Sequence, residues 1–470
     1  MSFLKKGILN AEERYSTSFA AERSLRPAGI RESRARFPGH PPTTGRPAGM
    51  SSWRTALLLS LLLFLLLPVL APTAGRAAGE EARDLTGRCT FSVSPTSGKR
   101  HSSWKNFTDG AYTTWWESDA GDPPFVEIKA KDPVHGLYLC FHTIPESYQV
   151  QVRTSGADWE TVAEGNPVYA HAFFEIPGAT EIRVLSTQES EPRIMGLNEL
   201  FVFGEGEIPD WVQRWEPTEE KADILFAMCH PDDELIFLGG AIPTYDVEMG
   251  KRVVVSYVTY ADKVRRSEAL NGLWTMGVRT YPVFGPFEDS YSTKLETAYR
   301  KVDEEKGAEI VLSWAVELLR HYRPEVVVTH DLKGEYGHGQ HKMIADAMTK
   351  AWDVCGDPAA LPDSAALYGP WQPKKLYVHL YGDKQDRTRL DWSVPLESMG
   401  GKTGLELAIE AYRKHRTQMS LTVTIGGQKR PLSVQGTGKT FPNTSFGLYG
   451  TTVGPDVEHT DFLEHVDTAE

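Results

Sequence analysis

Several features that define common protein classes are missing from this chain of 470 residues. Its four cysteines form no CxxC pair and no zinc-ribbon spacing. There is no basic stripe and no RNA-binding motif, and the formal net charge of −13 argues against a broad nucleic-acid surface. No serine lies in a nucleophile-elbow motif, and the sequence has no internal repeat. The composition is that of an ordinary globular protein, which leaves local motifs as the guide to function.

One long apolar run stands out near the N-terminus. Residues 56–71 are largely apolar, follow Arg54 and precede small residues that include Gly75 and Ala77. This layout is typical of a secretory signal peptide, and the run is short for a membrane span, which needs about 20 residues. We therefore predict a signal peptide at 50–79 and an exported protein, either secreted or held at the cell surface.

The sequence leaves the start of translation open. We interpret residues 1–49 as a disordered extension, or as the product of a start placed too early, with Met50 as the real start. If Met1 is the start, the apolar segment could act as an uncleaved signal anchor. Export would permit a disulfide between Cys89 and Cys140, although sequence alone does not show that their geometry fits.

Two regions of different character follow. Residues 80–205 contain short runs rich in aromatic and β-branched residues, separated by Gly, Pro, Asp and Ser. This spacing predicts an all-β sandwich or jelly roll. Residues 206–221 are polar and carry two prolines, so we interpret them as a linker. The second region then extends over residues 222–470.

The second region alternates apolar runs with amphipathic segments. The runs ADILFAMC, KRVVVSYVTY, PEVVVTH and KKLYVHLY are continuous, as expected of strands buried on both faces of a sheet. Helical spacing occurs over 234–249 and in RRSEALNGLWTMG, AEIVLSWAVELLRHY, HKMIADAMTKAW and GLELAIEAYRKHRTQ. The alternation predicts a Rossmann-like α/β domain with a mostly parallel sheet.

Side chains that often bind metals follow two of these strands. Directly after the first apolar run come His230, Asp232, Asp233 and Glu234. After PEVVVTH come His338 and His341, which are spaced i and i+3 and therefore share one side of a turn. Ligands of parallel α/β sheets bind beyond the carboxyl ends of the strands. We therefore expect both groups at the same edge of the sheet.

A zinc site is one interpretation of these residues. Zinc favours His nitrogen and Asp oxygen, and a catalytic zinc keeps three protein ligands and one open position. His230, Asp233 and His341 would supply the three ligands, while Asp232 could take a proton and His338 could donate one. A simpler alternative stays open, because acidic residues at a helix start also cap free N–H groups, and a lone HxxH is often a surface coincidence.

The motif CHPDDE, followed later by YGHGQH, resembles the signature of the PIG-L/LmbE-like zinc-dependent deacetylases, over about residues 222–420. The resemblance implies Zn²⁺-dependent removal of the acetyl group from an N-acetylglucosamine-type sugar or conjugate. The implied roles are zinc binding by His230, Asp233 and His341, general-base catalysis by Asp232, and oxyanion stabilisation by His338.

The same resemblance extends to residues around this motif. RRSEALNGLWTMGV is similar to the family's Arg-x-x-Glu helix, which places Arg265 near the substrate, and Tyr336 is implied to line the pocket. The tail FGLYGTTVGPD is similar to one seen in bacterial members. Two residues depart from the pattern, since Cys229 replaces a small residue and Gln340 stands where many members carry Asp or Asn. The missing carboxylate at Gln340 would change the orientation or the basicity of the neighbouring histidine, which leaves the protonation state of His338 open.

The β region resembles a discoidin-type (coagulation factor 5/8 type C) sandwich in NFTDGAYTTWWES, GLYLCFH and IMGLNELFVFGEG. Such domains often bind glycans, and Trp115 and Trp116 could stack on a sugar ring, unless at least one of them belongs to the core. The rival interpretation of the whole chain is a glycan-binding protein or adhesin with a degenerate deacetylase-like domain. We expect an acetylated amino sugar or glycan as the partner, no nucleic acid, and membrane contact only through an uncleaved signal segment.

Overall fold

The computed structural model of the chain describes residues 80–468, apart from 95–100, 155, 166–168, 219, 261 and 438–439. The predicted signal segment 50–79 and the extension 1–49 lie outside the described residues. Within the part that is described, no helix combines the length and the apolar composition needed to cross a bilayer.

The N-terminal region is an antiparallel β-sandwich, as the sequence predicted. Its strands pair in the order β2-β7-β3-β6-β4-β5, with β1 added to β3. The bounds are β1 (Cys89–Val93), β2 (Trp116–Glu117), β3 (Phe125–Thr143), β4 (Tyr148–Arg153), β5 (Glu160–Glu164), β6 (His171–Ser186) and β7 (Gly196–Phe203). The side chains between its layers are apolar, and Phe107, Trp116, Ile128 and Leu139 are fully buried.

Strands β3 and β6 are each longer than the sequence suggested. The sequence divides each of them in two, at Pro133 and Gly136 in β3 and at Pro177 and Gly178 in β6. In the structure the pairing register shifts at these points, and the chain continues as a strand beyond them. Pro has no N–H to donate to the ladder, and an irregularity in the pairing is one of the places where a sheet accepts it. These Pro and Gly residues therefore interrupt the regular pairing without ending the strands.

The possible disulfide between Cys89 and Cys140 is not formed, and both residues are free thiols. Cys89 pairs across the ladder with Ala130, whereas Cys140 lies farther along the same strand, β3. At about 3.3 Å per residue the two sulfurs are separated by far more than a disulfide spans.

The C-terminal region is an α/β domain with a mostly parallel sheet. The strand order is β10-β9-β8-β11-β12-β16-β13, parallel from β10 to β12 and antiparallel at β16 and β13. The strands are β8 (Ile224–Met228), β9 (Val253–Thr259), β10 (Val283–Phe287), β11 (Val326–Thr329), β12 (Lys375–His379), β13 (Thr388–Arg389) and β16 (Ser445–Thr451). The four predicted buried strands are confirmed as β8, β9, β11 and β12, and all four are buried along their length.

Helices cover both faces of this sheet. They are α1 (Asp233–Leu238), α2 (Lys263–Thr275), α3 (Leu295–Val302), α4 (Gly307–Tyr322), α5 (Gly339–Val354), α6 (Pro362–Tyr368), α7 (Gly404–Tyr412) and α8 (Val434–Thr437). The described residues also form a π-helix (Pro243–Glu248) and a hairpin of β14 (Thr422–Ile425) with β15 (Gln428–Pro431). Short 3-10 helices occur at Thr86–Arg88, Trp104–Phe107, Glu335–Gly337, Lys384–Asp386 and Glu397–Met399.

Two predicted helices are shorter than expected. The helix predicted over 234–249 ends after Leu238, because Gly239 takes a positive φ of 60°, and the π-helix follows separately. The long helix predicted from GLELAIEAYRKHRTQ ends at Tyr412. In the second case the helix ends where the apolar residues end, since 413–418 are all polar or charged.

The segment 206–221, predicted as a linker, is packed between the two regions. Its side chains Val212, Gln213 and Trp215 are buried, and Trp215 belongs to the apolar cluster of the second region. Glu216 bridges to Thr280, which extends the segment along the α/β domain. The domain boundaries themselves stay a prediction.

Candidate metal centre

The two groups of polar residues predicted at one edge of the sheet do meet there. Strands β8 and β11 are adjacent and parallel, so Met228 and Thr329 end side by side. His230 and Asp233 follow β8, and His341 lies on α5 after β11. All three side chains are buried. The parallel pairing thus explains why residues distant in the chain share one site.

Two imidazole nitrogens of the predicted ligand set lie close to Asp233. Its Oδ2 lies 3.1 Å from His230 Nδ1 and 3.4 Å from His341 Nε2. Cys229, His230, Asp233 and His341 each offer one donor atom within 4.8 Å of the others. His341 Nε2 is buried and has no hydrogen-bond partner within the described ranges. The predicted ligand set is therefore brought together by the fold.

In His230 and His341, the outer ring nitrogen, which faces away from Asp233, is hydrogen-bonded to a separate acceptor. His230 Nε2 lies 3.1 Å from Gln340 Oε1, and His341 Nδ1 lies 2.8 Å from Glu335 Oε2. Hydrogen bonds of this kind fix the tautomer and the ring orientation, because the proton sits on the nitrogen that faces the acceptor. His230 Nδ1 and His341 Nε2 are then the nitrogens that face Asp233 and could bind a cation.

Glu335 also joins two more histidines. Its Oε2 lies 2.8 Å from His330 Nδ1, and its Oε1 lies 2.7 Å from His379 Nδ1. His330, Glu335 and His341 would by distance form a second possible metal group. We assign that group to hydrogen bonding, because a single carboxylate oxygen receives both N–H groups at an ordinary donor–acceptor distance.

Cys229 is the other neighbour of the predicted ligands. Its Sγ lies 3.4 Å from His230 Nε2. Burial first, and then the charge of Asp233, raise the pKa of this thiol well above its usual value. Because a thiolate rather than a thiol binds metal, Cys229 is a poor ligand in this environment.

The centre stabilises positive charge. Burial opposes ionisation of Asp233, but the charges of His341 and His330 outweigh it and hold its pKa well below the usual value. Burial also lowers the pKa of His341, yet Asp233 and the hydrogen bond to Glu335 raise it overall. Two buried carboxylates thus favour a cation at the point where the imidazoles meet.

Asp232 has a different environment from Asp233 although the two are adjacent. Its Oδ1 lies 3.2 Å from an Arg265 amino group, while its Oδ2 is buried without a partner among the described residues. Its backbone takes a φ of 111°, which is strained for any residue but glycine. Burial raises the pKa of Asp232 well above its usual value, and the charge of Arg265 opposes that shift.

Arg265 was predicted near the substrate, and the structure shows it bound to groups of the chain itself. One of its amino groups donates to Pro231 O over 2.6 Å and to Asp232. The other pairs with Asp289. The guanidinium therefore clamps the turn that carries Asp232 to the end of β10.

His338 and Tyr336 flank the centre. The ring centroid of His338 lies 4.9 Å from that of His230, and the ring centroid of Tyr336 lies 5.3 Å from that of His341. His338 Nδ1 accepts from the Gln340 backbone N–H over 3.2 Å. Burial first, and then His341 and His230, lower the pKa of His338, so the ring is neutral. This hydrogen bond leaves Nε2 as the protonated nitrogen.

The sequence missed the supporting residues around the ligands. Glu335, His330, His379 and Asp289 were not singled out, although Glu335 lies within KGEYGHGQH and could have been suspected from it. Gln340 was expected to act on His338. Its side chain instead binds His230, and also Glu288 and Ser290, and only its backbone contacts His338.

The two tryptophans proposed for sugar stacking are both covered. Trp116 is fully buried in the sandwich core. Trp115 is stacked between His101, at 3.6 Å between centroids, and His142, at 4.1 Å. The alternative that at least one belongs to the core is thus confirmed for Trp116, and neither ring offers an open face.

This fold and this edge cluster define the class of domain. Residues 225–352 match the family model described as PIG-L: GlcNAc-PI de-N-acetylase, so the chain carries a PIG-L domain and the resemblance read from CHPDDE is confirmed. One similar curated protein is a 1D-myo-inositol 2-acetamido-2-deoxy-alpha-D-glucopyranoside deacetylase 1 of Frankia casuarinae, 27% identical over 184 residues. The corresponding deacetylase 2 of Saccharopolyspora erythraea is 32% identical over 183 residues. Each match covers 33% of this chain, and 57% and 63% of the two relatives respectively, so the chain spans little more than half of their length.

Solved structures show more distant similarity. A conserved protein of Thermus thermophilus is 17% identical, with a TM-score of 0.30, over 42% of this chain and 80% of that chain. The chitosan-binding module 1 of a chitosanase/glucanase from Paenibacillus sp. IK-5 is 24% identical, with a TM-score of 0.23, over 26% of this chain and 99% of that chain. Neither similarity supports a functional conclusion at these scores.

Proposed function

We propose that this protein is a zinc-dependent hydrolase that removes the N-acetyl group from an N-acetylglucosamine-type sugar or glycoconjugate. The observation that carries the proposal is the convergence of His230 Nδ1, Asp233 Oδ2 and His341 Nε2 beside a separate carboxylate, Asp232, and a neutral imidazole, His338. The PIG-L match and the deacetylase names of the relatives support the same reaction.

The side chains present fit a zinc ion. The buried His341 Nε2 makes no hydrogen bond among the described residues, as expected of a nitrogen that binds a cation. One carboxylate and two imidazoles form a common catalytic ligand set, and the outer nitrogens are already held by Gln340 and Glu335. Bound there, Zn²⁺ would polarise the acetyl carbonyl and make a water molecule more acidic.

Asp232 is proposed as the general base. Arg265 fixes one of its carboxylate oxygens, and the other oxygen is left to accept a proton from the attacking water. Burial raises the pKa of Asp232 in spite of the charge of Arg265, which makes the ionised carboxylate a stronger base than an exposed one, and a cation bound at the centre would favour that ionised form. The proton then passes to the departing nitrogen, the C–N bond breaks, and the products are acetate and a free amine.

His338 is proposed to stabilise the oxyanion. Because its Nδ1 accepts a hydrogen bond, Nε2 carries the proton and can donate it to developing negative charge. A neutral imidazole suits this role, since it donates without adding a full positive charge beside the metal. Tyr336, whose ring lies against the same cluster, is proposed to line the substrate pocket.

The proposed setting is an exported enzyme that acts on an acetylated amino sugar or a glycan. The rival, a glycan-binding protein with an inactive deacetylase-like domain, is less well supported. Every implied catalytic position holds the expected residue. The two tryptophans that would have formed a stacking surface are covered.

The test is metal analysis of the purified protein together with a screen of acetylated sugars and glycan fragments. We expect bound zinc, release of acetate, loss of activity with a chelator, and recovery with added Zn²⁺. Zinc-loaded protein that cleaves no acetylated amino sugar would contradict the reaction. Full activity in protein free of zinc would contradict the cofactor.

A further inference from the structure

Helix α2 lies between the β-sandwich and the candidate metal centre. The residues that contact the sandwich or the segment after it are Lys263, Arg266, Ser267, Asn271 and Trp274. Their spacing places them on one face of the helix. Arg265, which binds Asp232, lies on another side of the same helix.

The N-terminal end of α2 is fixed by residues near the end of β3. Lys263 Nζ donates to Thr143 Oγ1 over 2.6 Å and lies 3.4 Å from Glu117 Oε2. Thr143 itself donates to Glu117. One turn along, Arg266 donates to the His142 carbonyl over 3.2 Å. The sandwich thus provides both charge and directional hydrogen bonds at the helix start.

The middle of α2 is fixed by a buried polar network. His171 at the start of β6 is fully buried, and its Nε2 lies 3.2 Å from Ser267 Oγ. Its Nδ1 lies 2.8 Å from Gln213 Oε1, and Gln213 in turn donates to Asn271 over 2.6 Å. Networks of this kind are specific, because a shift of one member leaves buried polar groups unpaired.

The other side of α2 is equally confined. Glu268 accepts from the Thr417 backbone N–H over 2.8 Å and from its hydroxyl over 2.6 Å. At Gly272 an added Cβ would lie 3.0 Å from His415 Nε2, so the helix and the chain beyond α7 are in close contact. Helix α2 is therefore held between the sandwich on one side and the chain after α7 on the other, and a change in either surface would shift it.

We propose that the β-sandwich is a positioning element of the reactive site, which holds α2 so that Arg265 keeps Asp232 in its working orientation. Arg265 is the connection, because it binds Pro231 O, Asp232 and Asp289 at once. Asp232 has a strained backbone, so its side-chain direction depends on such outside contacts. The sandwich then acts on turnover without touching the substrate.

The kinetic part of this inference rests on the proposed function, and an exchange measurement does not. The test uses the full chain with Thr143→Val, which removes the hydroxyl that Lys263 binds while it keeps the side-chain shape. Because a displacement of about 1 Å at a reacting group can cost 10²-fold, we expect kcat to fall about ten-fold, with KM and zinc content unchanged. Hydrogen exchange should become faster at 229–235 and 262–275.

Three further variants make the test specific. Thr143→Ser keeps the hydroxyl and should restore both kcat and exchange. Thr161→Val makes the same change on β5, where the hydroxyl binds Gln149 and Gln151 of the sandwich, and should alter neither quantity. Lys263→Met removes the contact from the helix side and should reproduce Thr143→Val.

Each outcome then decides the matter. If Thr143→Val and Lys263→Met leave kcat and exchange at 229–235 unchanged, the positioning role is overturned. If they lower thermal stability and change nothing else, the contact is structural and the role is likewise overturned. If the unaltered protein cleaves no acetylated sugar, the proposed function fails, and the exchange data still decide the positioning role.

Discussion

The core of the sandwich and the carboxyl edge of the second sheet are equally buried, yet they contain opposite kinds of side chain. The sandwich core consists of residues such as Phe107, Trp116 and Ile128, packed without charge. The sheet edge buries ionisable groups in direct contact, among them Asp232, Asp233, Glu335 and His341. Apolar burial stabilises a fold, whereas buried charges lower stability unless a partner compensates them.

The difference teaches that the sandwich core contributes mainly to stability, whereas the edge of the second sheet holds the groups proposed to bind metal and react. Two of the seven described non-glycine residues with a positive φ, Asp232 and Tyr336, lie at the edge cluster, and none of the seven lies in the sandwich. Substitutions in the sandwich core should therefore change the free energy of unfolding, and substitutions at the edge should change metal binding and turnover.

The largest effect is expected from His341→Ala. Loss of a direct ligand should lower zinc affinity by more than about 100-fold, since loss of a residue that merely orients a ligand already costs 10–100-fold. Zinc content by elemental analysis and acetate release should fall together. The matched control is His135→Ala in the sandwich, which should keep both. Full zinc occupancy in His341→Ala would remove this ligand set.

The next effect separates Asp232 from Asp233. Asp232→Asn should keep zinc bound, because Asn preserves the shape of the side chain and places no new demand on the backbone at this position. Activity should fall about 10²–10⁴-fold, the usual contribution of a positioned base, with little change in KM. Kinetics and elemental analysis of the same preparation check both points. A variant that loses its zinc, or that turns over almost normally, would reverse the roles of base and ligand.

The sandwich core should respond in the opposite way. Ile128→Ala empties space in a fully buried position of β3 and should lower the free energy of unfolding by about 2–5 kcal/mol. Denaturant titration measures this loss, and kcat at a temperature where the variant is folded should stay close to normal. A large fall in kcat in folded Ile128→Ala would show that the two regions are not separable in this sense.

The smallest effect concerns pH and the network between the regions. Burial lowers the pKa of His171 from 6.5 to about 3, so the folded protein does not take up this proton between those values, whereas the unfolded chain does. Stability from this residue is complete above pH 6.5 and falls as the pH is lowered, by about 2 kcal/mol at pH 5.

The measurement is a comparison of the unfolding free energy of the unaltered protein and of His171→Gln from pH 7 to pH 4. The variant should be less stable at pH 7, because it repacks the buried network, and its stability should decline less steeply with acid. Parallel declines in the two proteins would mean that His171 does not carry this dependence.

Much of the fold could be predicted because the signals were local. Continuous apolar runs identified β8, β9, β11 and β12, and their ends located His230, Asp233 and His341 at one edge. The ends of β3 and β6 were predicted wrongly for another reason. Pro133 and Pro177 lie where the register between these two strands shifts, so each strand continues because its partner is irregular at the same place. Pairing across strands is not visible in a single stretch of sequence.

The supporting residues of the site were missed for the same reason. Glu335 matters because it meets His330, His341 and His379, and that meeting exists only after β11 and β12 are side by side. The burial of Trp215 in a segment that is polar by composition likewise depends on the helix packed against it. The roles of Glu335 and Trp215 therefore depend on tertiary contacts that a single stretch of sequence does not show.

The order of the strands has a consequence for biosynthesis. Strands β1–β7 of the sandwich come from one uninterrupted part of the chain, whereas the second sheet places β8 between β9 and β11 and receives β16 beside β12. Domains generally fold as units, N-terminal first, as the chain leaves the ribosome, and long-range strand pairing is slow. We expect the sandwich to be complete while the second sheet is still being synthesised. Helix α2 would then emerge next to a finished surface that guides its docking, before β16 closes the last pairing.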